Sequence, residues 1–196
     1  MSWKLLTFVF ILALLIAVSF ACTPDEPTPA PAVTQLPRAD RTIMPGDAGS
    51  TYPISVNPRP NPPVGVSVLR EVRVGAHPEG GGWDRIVFEF KDSLPGAVVE
   101  YVPNVVGCGS GLPLRLQGRA YLLVRFYPAQ AHNDAGQPTI RSLQVAGPGN
   151  SILEAKSNCD YEAEVAWAVG LSQVTNFKVT TLTNPMRLVI DVSWNR

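Results

Sequence analysis

From about Val64 to the end of the chain, apolar residues recur at every second position, and this beat restricts the fold more than any other feature of the sequence. Ile86, Phe88 and Phe90 fall on one side with Arg85, Val87 and Glu89 on the other, and Leu122, Val124 and Phe126 oppose Tyr121, Leu123, Arg125 and Tyr127. Successive side chains of a strand point to opposite faces, so each run predicts a strand with one buried face. The same beat predicts strands in Val66 to Val74, Val98 to Val102, Tyr161 to Val169, Phe177 to Leu182, and through Leu188, Ile190 and Val192. Within the Tyr161 run, Glu162 and Glu164 are expected outward, on a solvated face. Gly80-Gly81-Gly82, Pro95-Gly96 and Gly147-Pro148-Gly149 read as turns between the runs. No long amphipathic helical pattern is present. The expectation is an all-β domain, an antiparallel β-sandwich over residues 64–196, large enough to bury roughly two thirds of its unfolded surface.

Two segments of different composition precede it. Lys4 is followed by an apolar run of 17 residues, Leu5 to Ala21, which stops at Cys22. That is marginal against the roughly 20 residues a bilayer requires, but suits an export signal with small residues at its end. Residues 1–21 are therefore expected to be a signal peptide. Three readings of Cys22 remain: lipidation, ordinary cleavage after Ala21, or an uncleaved anchor. Thr23 to Pro63 holds 11 of the chain's 19 prolines, a composition expected to form neither sheet nor core. Residues 22–63 are predicted to be a disordered tether, and one extended at polyproline pitch reaches about 120 Å.

The three cysteines favour lipidation. If Cys22 carries lipid, Cys108 and Cys159 remain as a pair that an oxidising compartment would join, and the odd count is explained. The alternative is two buried free thiols. A nucleophilic thiol needs a neighbouring cation, and neither His77 nor His132 lies near a cysteine in sequence.

Gly82-Trp83-Asp84-Arg85-Ile86-Val87-Phe88-Glu89-Phe90, followed by Pro95-Gly96 and Val99-Glu100-Tyr101-Val102, resembles the AMIN-like domain of secreted bacterial lipoproteins. Phe177-Lys178-Val179 leading to Asn184-Pro185-Met186-Arg187-Leu188-Val189-Ile190-Asp191-Val192 resembles the closing motif of AMIN domains, which occur in cell-wall amidases and secretins. Between them, Gly118-Arg119-Ala120 to Phe126 and Ala129-Gln130-Ala131-His132-Asn133-Asp134 match the same pattern. The resemblance implies a β-sandwich with an envelope-associated binding role, AMIN domains being similar in their attachment to peptidoglycan. No amidase or secretin domain accompanies it in this sequence.

Motifs for chemistry are sparse. Ser110 in Gly107-Cys108-Gly109-Ser110-Gly111 is not flanked as a nucleophile elbow requires. Gly80 to Gly82 lacks the Lys-Ser/Thr of a phosphate loop. His132 and Asp134 offer two metal ligands where a site needs three or four. We therefore expect no enzyme, no metal and no cofactor. The sandwich carries 12 basic and 12 acidic side chains, which argues against nucleic-acid partners. The candidate ligand-binding residues are Trp83, Asp84, Arg85, Tyr101, Tyr127, His132 and Arg187: aromatics to stack on sugars and Arg forks to grip carboxylates. Asp84 and Arg85, and Arg187 with Asp191, also read as structural charges at sheet edges or turns. The expected protein is exported, held by its lipid on the outer face of the membrane or in the periplasm. Its partner is peptidoglycan or an envelope protein, or, in a second reading, another chain pairing with its sheet edge.

Overall fold

In the computed structural model, residues 49–56 and 65–194 are described; the expected signal peptide, Cys22 and most of the tether lie outside them. The strands are β1 (Ile54–Val56), β2 (Ser67–His77), β3 (Trp83–Lys91), β4 (Gly96–Val102), β5 (Ala120–Tyr127), β6 (Ala129–Gln130), β7 (Gln144–Ala146), β8 (Ile152–Tyr161), β9 (Glu164–Leu171), β10 (Phe177–Leu182) and β11 (Met186–Ser193). They form a six-stranded sheet, β1-β4-β5-β9-β8-β7, and a five-stranded sheet, β10-β11-β3-β2-β6. Every pairing is antiparallel except the two-residue β6, which runs parallel to β2. The two-residue beat is what builds the core: Phe88 and Phe90 of one sheet meet Phe126 and Trp167 of the other, with ring centroids 4.9–6.0 Å apart. All four rings are at most 2% exposed.

The structure corrects the sequence reading at two places. Tyr161 to Val169 is not one strand. β8 ends at Tyr161, Glu162 and Ala163 form the turn with φ of 49° and 60°, and β9 begins at Glu164. Both turn residues take the left-handed conformation that matches strand twist in a two-residue hairpin. The Ala163 carbonyl is held there, accepting from the Ala129 N–H at 2.7 Å.

The tether's end is the second correction. Ile54–Val56, inside the segment expected to form no sheet, pairs with β4, and Ile54 is 2% exposed. Pro53, just before it, is tolerated because β1 is an edge strand, where one side of the backbone makes no ladder. Four residues earlier, Ser50 exchanges two backbone hydrogen bonds with Phe177 of β10, at 2.8 and 2.9 Å. Residues 50–56 therefore touch both sheets and close one side of the sandwich.

Cys108 and Cys159 form a disulfide across 51 residues of sequence. It pins the long connection between β4 and β5 onto β8. The Cys108 N–H donates to Asn158 O, the Gln117 N–H to Glu154 Oε1, and Lys156 Nζ to Arg115 O. The connection thus runs along β8 over a good part of its length.

Candidate binding face

Each sheet has an outer face, and the two differ. On the six-stranded sheet, the register places Ala166 and Ala168 outward beside Arg125 and Leu123, yet they are 1% and 0% exposed. The disulfide-pinned connection covers them. On the five-stranded sheet Val189 and Asp191 of β11 are 4% and 3% exposed, while the outward residues of β3 and β2 remain half-buried or exposed. Its side chains form rows across β10, β11, β3 and β2, set by the register. One row holds Ser193, Trp83 and His77; the next, Lys178, Asp191, Arg85 and Gly75. Beyond these come Thr180, Val189, Val87 and Arg73, then Leu182, Arg187, Glu89 and Glu71.

The second row is the most organised. Arg85 donates from Nε and Nη2 to the two oxygens of Asp191, at 2.5 and 2.9 Å. This paired hydrogen bonding outweighs the cost of partial burial and holds the Arg85 guanidinium above its ordinary pKa. Lys178 Nζ lies 3.7 Å from Asp191 Oδ2 and 4.4 Å from the centre of the Trp83 ring. One buried carboxylate and one indole thus fix two cations on an open surface. Next to Arg85 the row ends at Gly75, where an added Cβ would meet no atom within 4 Å. The result is a notch flanked by a guanidinium, with Trp83 and His77 in the row on one side and Arg73 in the row on the other. Arg73 pairs with Glu71 and with Glu89, the latter at 3.3 Å. A pre-oriented guanidinium with an indole close by is suited to an anionic group carried on a ring or an apolar stem.

Of the candidate residues, Trp83, Arg85 and Arg187 come together on this face. The others are scattered. Asp84 does not belong among them: it points inward from β3, is 0% exposed, and both its oxygens are taken by donors from Asn150, Ser151, Ile152 and Trp194. Arg187 does not pair with Asp191, which Arg85 takes; its Nε donates to the Pro185 carbonyl at 3.3 Å. Tyr127 stands 58% exposed on the other sheet. His132 lies where β6 leaves the sandwich, its Nδ1 2.8 Å from Asp160 Oδ2, and Asp160 Oδ1 also accepts from the Ala131 N–H. Its partner is Asp160 of β8, 28 residues away, and not Asp134. No group of three His, Cys, Asp or Glu side chains suited to a metal ion converges among the described residues. Lys178, though part of the closing motif, and Gly75 were not read as site residues, because their place beside Trp83 and Arg85 follows only from which strands are neighbours.

Tyr101 is turned to the core margin, against the Phe177 ring, with its hydroxyl donating to Thr175 O at 2.7 Å and accepting from the Thr175 N–H at 3.0 Å. Burial raises its pKa above the ordinary tyrosine value, and the hydrogen bond to Thr175 only partly offsets this. The folded state therefore keeps a proton that the unfolded chain releases near pH about 10, and stability falls as pH rises past that point. In an alkaline phenolate titration, Tyr101→Phe is expected to remove a phenol that ionises above the usual range. Loss of an ordinary phenol instead would contradict the burial described here.

The chain belongs to the AMIN-like domain family, whose model matches residues 67–194, from the start of β2 to the residue after β11. β1 and Ser50 precede the matched span. Comparison with curated proteins and with solved structures gave no match.

Proposed function

We propose that this protein is a lipoprotein of the bacterial cell envelope whose sandwich holds peptidoglycan, or an envelope partner, without catalysing a reaction. AMIN-like domains occur in exported envelope proteins, and the family is associated with peptidoglycan and envelope partners. The signal-like leader and Cys22 are consistent with that setting. The observation that carries the proposal is the outer face of the five-stranded sheet, where Asp191 holds Arg85 beside the notch at Gly75 and Lys178 lies over Trp83 farther along. Wall stem peptides carry carboxylates, which a guanidinium already oriented by Asp191 would grip at little further entropic cost.

Purified protein lacking its leader is expected to co-sediment with cell-wall sacculi in low salt. Gly75→Phe fills the notch, where an added Cβ meets no atom within 4 Å, and is expected to weaken binding at least about tenfold. Failure of the unaltered protein to sediment, or full binding by the Gly75 variant, would count against this reading. β10 supports the second one. It is an edge strand whose only described partner besides β11 is Ser50, at Phe177, so the stretch toward Leu182 is available to another chain's strand. Capture of a defined envelope protein without wall affinity would favour that alternative.

A further inference from the structure

The outer face of the six-stranded sheet is not covered to its end. Beyond the row of Cys159, Ala166 and Arg125, the register brings Tyr161 of β8 opposite Glu164 of β9, and the next strand, β5, ends at Tyr127. Alternation turns all three side chains outward, to the same side as Arg125 and Cys159. Tyr127 is 58% and Tyr161 67% exposed. Both are held by well-fixed backbone. Tyr161 enters the hairpin whose Glu162 and Ala163 both have positive φ, and the Ala163 carbonyl is tied to Ala129, two residues beyond Tyr127. The register and this hydrogen bond place Tyr127 and Tyr161 in one row at the end of the sheet.

The chemistry of the row is specific. Strands lie about 4.8 Å apart, so the tyrosines, two strands apart, are spaced by roughly 10 Å. A β-1,4-linked sugar chain turns each ring over relative to the last, and so presents the same apolar C–H face at every second ring, with a repeat of that same length. Glu164 sits between the tyrosines, where a carboxylate accepts hydrogen bonds from the hydroxyls of the intervening sugar. The nearest cation on the face, Arg125, is paired with Glu100. A row of ring, carboxylate and ring disfavours an anionic ligand and favours a neutral, hydroxyl-rich one.

We propose that Tyr127, Glu164 and Tyr161 form a platform for a neutral β-1,4-linked glycan strand, separate from the cationic notch at Gly75 on the opposite outer face. Two sites on opposite faces would let one domain engage a sugar strand and an anionic group at once. The platform does not depend on the notch being a site.

The test is titration of the leaderless protein with β-1,4-linked N-acetylglucosamine tetramer and with the single sugar, followed by calorimetry and by amide chemical shifts. The tetramer is expected to bind and the single sugar to bind at least about tenfold more weakly, since it cannot reach both rings. Tyr127→Ala and Tyr161→Ala should each weaken tetramer binding about tenfold, while Tyr127→Phe and Tyr161→Phe retain it because the ring survives. Gly75→Phe should leave tetramer binding unchanged, which separates failure of the platform from failure of the notch. No binding of the tetramer, or binding undiminished in both alanine variants, would overturn the proposal.

Discussion

Asp84→Ala is expected to destabilise the fold by about 4 kcal/mol, a large fraction of the roughly 5–15 kcal/mol that holds a domain together. The carboxylate is 0% exposed and accepts four hydrogen bonds: Oδ2 from the Ser151 and Ile152 N–H groups at 2.7 and 2.8 Å, Oδ1 from Trp194 Nε1 and Asn150 Nδ2 at 2.7 and 3.1 Å. These donors come from the start of β8 in one sheet and from the chain just after β11 in the other, so a single side chain ties the two layers at one end. Alanine would leave all four donors without an acceptor in a site with little room for water, and the cost of an unmade hydrogen bond exceeds the net gain of a made one. Asp84→Asn offers no escape, since its amide directs two donors at groups that are themselves donors. The same corner explains Gly82, whose φ is +90° and whose added Cβ would come 2.1 Å from the Trp194 ring. Denaturant unfolding of the alanine variant should show a lowered midpoint with an unchanged slope. A loss below about 1 kcal/mol would contradict the tie, because that is the scale of one ordinary surface hydrogen bond.

That inward placement was legible in the sequence. Asp84 shares the parity of Ile86, Phe88 and Phe90, so the beat that predicts β3 also puts Asp84 on the core side; its acidic character obscured this. Trp83 and Arg85 have the opposite parity, as do Arg187 and Asp191 relative to Leu188, Ile190 and Val192, and the structure finds all four on one outer face. What period two cannot supply is which strands are neighbours, so Lys178 beside Trp83, and Tyr127 on a different sheet from both, became visible only in the fold. The missed strands have local causes. β8 carries bulges between Ile152 and Glu154 and between Ser157 and Cys159, each of which shifts the alternation by one residue and breaks the pattern. β1 is three residues long with a proline just before it, and its hold on β4 comes from burial of Ile54, not from local propensity. β6 and β7, of two and three residues, are too short to show a period at all.

Cleaving the Cys108–Cys159 bond, by reductant or by paired substitution to serine, is expected to lower stability by about 4 kcal/mol, from the entropy an open loop of this span returns to the unfolded chain. The bond closes 51 residues of sequence and pins the connection to Cys159, which pairs with the buried Ala166. Without it, the hydrogen bonds from Gln117 to Glu154 and from Lys156 to Arg115 remain, so the connection should loosen at its Cys108 end first. The consequence is local as well as global. Amide exchange should accelerate from Val105 to Leu112 before it does in β5 or β9, while β3 and β11, which carry the notch on the opposite face, keep their protection. Comparing denaturant midpoints with and without reductant measures the global part. Coincident curves would mean that the connection is held by its other contacts and that the disulfide adds nothing to the fold. A separated pair, with exchange confined to the Cys108 end below the transition, would show that this bond holds that end of the connection while the hydrogen bonds to β8 hold the rest.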